Sequence, residues 1–136
     1  METGAAYDQW SAQYDTNRNR TRDLEAQALR EVLAGPHVER CLEIGCGTGK
    51  NTEWLATRCG HVTAVDLSEG MLAIAREKVQ VPHVTFHQAD ILRPWDFVEG
   101  AYDLVTFSLV LEHIEHLGPI MRKAADALKP GGLVYI

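Results

Sequence analysis

Two periods of apolar spacing alternate along this chain, and the switches between them divide it into short elements. Over residues 21–34, Leu24, Ala28, Leu29, Val32 and Leu33 recur at helical spacing with Glu25 and Arg30 outside them, and Gly35-Pro36 stops the pattern. This predicts an amphipathic helix lying on a sheet. Compact, β-branched apolar runs at 41–44, 61–65, 84–87, 104–107 and 133–136 predict five strands. Helical patterns over 51–59, 68–79 and 117–128 separate most of them, with Ser68 as a natural N-cap. The stretch between the third and fourth strands holds Pro94 and Gly100 and has weaker helical character. Parallel strands need crossover connections, so this order predicts an α/β domain, a Rossmann-like three-layer sandwich around a mostly parallel sheet. No internal repeat or linker divides it, and residues 1–136 read as a single domain. Residues 1–20, aromatic and acidic and then polar, read as an arm or lid.

Composition narrows the function classes. A 46% apolar content over 136 residues supports one buried core. Thirteen Lys and Arg stand against nineteen Asp and Glu, a net charge of −6, so there is no general attraction for phosphate backbones or anionic membranes. No nucleic acid or membrane partner is expected. The three cysteines show no CxxC spacing and read as reduced thiols, and the start of the chain is acidic where a targeting signal would be basic and then apolar. Both features predict a cytoplasmic protein.

Candidate chemistry begins at Leu42-Glu43-Ile44-Gly45-Cys46-Gly47-Thr48-Gly49, where the first strand hands over to a helix. Glycines there let the backbone turn tightly and approach a ligand, and the free amides of the helix start face the same space. A dinucleotide loop spaced GxGxxG from Gly45 would need glycine at position 50, which is Lys50. The loop alone leaves the cofactor open. Asp66 ends the second strand about 20 residues on, where a carboxylate accepts from ribose hydroxyls in either kind of nucleoside site.

The ExGxGxG run of Glu43 to Gly49 resembles motif I of the class I, Rossmann-like methyltransferases that use S-adenosylmethionine (SAM) and release S-adenosylhomocysteine. The likeness continues through Asp90 in Gln88-Ala89-Asp90-Ile91, through Tyr102 to Ser108 as the fourth strand, and through Leu128-Lys129-Pro130-Gly131-Gly132-Leu133 as the turn into the fifth. It implies a strand order of 3-2-1-4-5, and it implies that the family's closing β6/β7 hairpin is missing from this chain. It also implies cofactor contacts from Gly45, Cys46, Gly47 and Gly49, a ribose site at Asp66, and Asp90 on the adenine amino group. Leu67, Met71 and Ile91 would sandwich the purine, Glu43 would receive the methionine ammonium, and Ser108 would offer backbone contacts to the same moiety.

Methyl transfer from a sulfonium needs alignment and exclusion of water more than any metal or covalent nucleophile. Where the acceptor carries a proton, a base must reach it. His113, just past the fourth strand, is the candidate, since similar small-molecule methyltransferases often aim a histidine from this place at the methyl group. Tyr14 is the second catalytic candidate. It lies in a segment that resembles the YDxWxxxYD start of that subgroup, where the second tyrosine covers the methionine end of SAM. The EHIEH run of Glu112 to His116 is not HExxH, and no metal site is expected.

The leading expectation is a methyltransferase acting on an O, N or C atom of a small molecule. The absence of an NPPY-type run after the fourth strand argues against adenine or glutamine amide acceptors. The alternatives are a SAM-binding module that needs a partner or a further segment and, more weakly, a nicotinamide oxidoreductase. A homodimer through an exposed fifth strand is the expected assembly.

Overall fold

The computed structural model describes residues 24, 27–31, 33, 38–108 and 114–136. Five strands, β1 (Val38–Ile44), β2 (Cys59–Asp66), β3 (Val84–Gln88), β4 (Tyr102–Phe107) and β5 (Leu128–Tyr135), form one sheet in the order β3-β2-β1-β4-β5. All four pairings are parallel, as the alternation of patterns predicted. Helices α1 (Lys50–Arg58), α2 (Glu69–Lys78) and α3 (Leu117–Ala127) join them.

Three layers follow from which side chains face inward. Leu55 of α1, Leu72 and Ala75 of α2, and Leu29 from the helical residues at 27–31 pack with Cys41, Val62 and Ala64 on one face of the sheet. Ile120, Ala124 and Ala127 of α3 cover Leu42, Ile44, Val105 and Phe107 on the other. Between β3 and β4 there is no helix. Ile91, Trp95, Phe97 and Val98 from a turn-rich segment close that face instead, which fits the weak helical pattern around Pro94.

Two strands begin three or more residues before their apolar runs, and polar partners explain one of these starts. β1 starts at Val38, three residues before its apolar run, because Val38 pairs with Cys59 and the Arg40 amide donates to Asp103 Oδ2 at 2.8 Å. Lys129 Nζ also bonds Asp103, and this contact, with the amide, holds the Asp103 carboxyl below its ordinary value. β5 begins at Leu128, which pairs with Tyr102, yet the next aligned pair is Leu104 with Leu133. Lys129 to Gly132 therefore bulge out of register, with Gly131 at φ 82°, and the turn expected at Lys-Pro-Gly-Gly is retained as an irregularity within the strand.

Candidate functional site

Strand order reverses direction between β1 and β4, and in open parallel sheets ligands collect beyond the carboxyl ends of the strands at such a point. The loop from Gly45 to Gly49 leaves β1 there. Gly45 and Cys46 donate their amides to the Val65 carbonyl at 2.8 and 3.0 Å, which clips the loop to the end of β2. Gly45, Gly47 and Gly49 all have positive φ, at 82°, 56° and 88°.

The last two glycines serve different ends. A Cβ on Gly49, which caps α1, would meet Ala75 Cβ at 3.1 Å and Ala75 Cα at 3.2 Å, so its absence lets α2 pack against the loop. A Cβ on Gly47 would meet nothing within 4 Å. Gly47 thus turns its bare Cα toward open space, which is what close approach of a ligand to the backbone requires.

Asp66 binds the loop to the neighbouring helix start. Its Oδ2 accepts from the Gly47 amide and its Oδ1 from the Ser68 amide, both at 2.9 Å, while its carbonyl accepts from Ala89 at 3.1 Å. These bonds fix the carboxylate plane at the carboxyl end of β2, beside the glycine loop. Ser68 then caps α2, its Oγ accepting from the Met71 amide at 3.1 Å. Asp90 closes a turn of its own at the end of β3, with Oδ1 accepting from the Leu92 amide at 2.9 Å and its carbonyl from the Arg93 amide at 3.0 Å.

The remaining expected residues divide by exposure. Leu67 is open at 36%, Ile91 is nearly covered at 9%, and Met71 is a core side chain at 1%. Glu43 is buried, and its Oε1 accepts from the Thr52 hydroxyl of α1. Cys46 is buried in the loop, and burial, followed by the nearby Glu43 and Asp66 carboxylates, pushes its thiol well above the ordinary range. The Ser108 amide is taken up by the Ile44 carbonyl at 3.3 Å. The Ser108 and Thr106 hydroxyls, at the carboxyl end of β4, are buried and have no hydrogen-bond partner among the described residues. His113 and Tyr14 lie outside the described residues. Among the described residues no group of His, Cys, Asp or Glu is arranged to hold a metal ion.

Sequence reading missed Thr52 and Thr106, polar residues inside otherwise apolar strand and helix surfaces, and it missed Trp95 and Lys123. Lys123 left a signal, because it interrupts α3 between the buried Ile120 and Ala124.

The family described as Methyltransferase domain matches residues 42–136. The chain is 35% identical over 126 residues to the biotin biosynthesis bifunctional protein BioHC of Cellvibrio japonicus, covering 93% of this chain and 25% of that protein. It is 34% identical over 127 residues to a malonyl-[acyl-carrier protein] O-methyltransferase of Bacillus cereus, covering 89% of this chain and 46% of that one. The chain thus spans half or less of the length of these curated relatives. Among solved structures, the N-methyltransferase NodS of Bradyrhizobium japonicum, in complex with S-adenosyl-L-homocysteine, superposes with a TM-score of 0.83 at 25% identity, over 98% of this chain and 71% of that one.

Proposed function

The chain belongs to the methyltransferase domain family and has its class I, Rossmann-like fold, and from that premise we propose that it transfers the methyl group of SAM to an O, N or C atom of a small molecule. The observation that carries the proposal is the pairing of Gly47 with Asp66. A glycine facing open space is bonded through its own amide to a carboxylate at the end of the next strand. This fits an adenosyl group whose ribose lies over Asp66 and whose chain crosses the glycine loop, since among the described residues nothing lies within 4 Å of a Cβ built on Gly47.

When bound, SAM supplies an activated methyl on a sulfonium. The protein's own residues have the remaining work. Asp66 holds the ribose hydroxyls, Asp90 accepts from the purine amino group, and Leu67 and Ile91 cover the purine faces. The buried Ser108 and Thr106 hydroxyls and the Glu43 carboxylate supply polar groups near the methionine end. His113 takes the acceptor's proton where there is one, and Tyr14 closes over the methionine end. The acidic net charge, and relatives that are a malonyl-[acyl-carrier protein] O-methyltransferase and an N-methyltransferase, support a small-molecule acceptor over nucleic acid.

No helix among the described residues is long and apolar enough to cross a membrane. A cytoplasmic site of action agrees with the three free cysteines. In the 136-residue chain, the open edge of β5 supports pairing with a second copy.

Transfer from methyl-labelled SAM to a panel of hydroxy acids, carboxylates, phenols and amines tests the proposal. Labelled product is expected with the wild type, and His113→Ala is expected to keep SAM binding while turnover falls by about 10²-fold or more. Saturable SAM binding with no product from any acceptor class would instead assign a SAM-binding module.

A further inference from the structure

The turn that carries Asp90 is tied to α3, which packs in the same core cluster on the same face of the sheet. Lys123 of α3 donates its ammonium to the Arg93 carbonyl at 2.9 Å and to the Ile91 carbonyl at 3.4 Å. The Trp95 indole donates to the same Ile91 carbonyl at 3.0 Å. One peptide oxygen, adjacent to Asp90 in the chain, thus has two side-chain donors from different elements, one of them charged and so the stronger.

These bonds are not needed to satisfy a helix end or to pair a strand. The turn already closes on itself through the Asp90 carbonyl and carboxylate. What the two donors add is orientation. They fix the Ile91 peptide plane, and that plane determines where the Asp90 carboxylate stands relative to the crevice. Trp95 is itself located by its ring contacts with Phe97 at 5.4 Å and Phe107 at 6.5 Å. Phe107 is the last residue of β4, beside the site. Lys123 is held by a helix that buries Ile120, Ala124 and Ala127 against the same cluster.

We propose that Lys123 is a positioning residue for purine recognition, acting with Trp95 through the Ile91 carbonyl to set Asp90 for the amino group of the nucleobase. This deepens the SAM reading above and rests on it. The helix that follows β4 thereby controls how strictly the purine is read at the end of β3.

The test compares binding of S-adenosylhomocysteine with its deaminated counterpart, S-inosylhomocysteine, whose oxo group cannot donate to Asp90. The wild-type chain is expected to prefer the adenosyl ligand. Lys123→Met, which keeps the aliphatic stem and removes the donors, is expected to shrink that preference about fivefold, the equivalent of one net hydrogen bond. Lys123→Arg restores it, and Trp95→Phe, acting on the same carbonyl from another element, reduces it in parallel. A purely structural contact would lower the Tm and weaken both ligands alike with their ratio unchanged. That result, in Lys123→Met or in Trp95→Phe if the first does not fold, overturns the inference. A wild-type chain that binds both ligands equally overturns it while leaving the SAM reading in place; one that binds neither removes the reading beneath it.

Discussion

Gly47 and Gly49 stand two residues apart with similar left-handed backbones, yet their surroundings assign them opposite consequences on substitution. Gly47→Ala puts a methyl into open space, so its folding cost is limited to the backbone strain of about 1–2 kcal/mol. The same methyl stands where the cofactor must approach, and SAM affinity is expected to fall at least tenfold. Gly49→Ala drives a methyl against Ala75 of α2, so the larger loss is expected in stability, seen as a drop in Tm that exceeds that of Gly47→Ala. Thermal denaturation together with SAM titration of both variants checks the pair, and equal losses in both readouts would contradict the division. At this scale much was legible. The spacing of the glycines, Asp66 and Asp90 is a sequence pattern, because backbone chemistry at the strand ends demands those residue types. Which glycine faces open space and which faces protein was not legible, since that depends on α2 arriving from a later part of the chain.

Elements built from one continuous pattern were the easiest to read. β3, β4, α2 and α3 lie within a residue or two of their apolar periods, and Ser68 caps α2 as its position implied. Of the two ends furthest from their patterns, one is held by a long-range polar partner and the other carries a bulge. β1 extends through Glu39 and Arg40 because Asp103 of β4 receives the Arg40 amide, which no local pattern reports. β5 carries a bulge and, among the described residues, forms an outer edge of the sheet, with Leu133 exposed at 53% and Val134 at 38%. Exposed apolar residues on an unpaired edge invite a second strand. The 136-residue chain is therefore expected to show a dimer fraction that rises with concentration in sedimentation velocity, and Val134→Lys is expected to suppress it. A monomer for the wild type across a hundredfold range of concentration would exclude that edge as an interface.

For the molecule as a whole, the parallel sheet in the order β3-β2-β1-β4-β5 brings the ends of four strands to one crevice, and its two faces are covered by different sets of helices. The acceptor was not legible because the glycines and acids at the strand ends form a spaced sequence pattern, whereas residues 109–113, which include the proposed base His113, obey no period. The central claim is that this crevice takes an adenosyl sulfonium and not a pyrophosphate-linked dinucleotide. Calorimetric titration of the full chain with S-adenosylhomocysteine and, separately, with NADH tests it most directly. The account predicts saturation at one S-adenosylhomocysteine per chain and no binding of NADH; saturation by NADH with none by S-adenosylhomocysteine would contradict it.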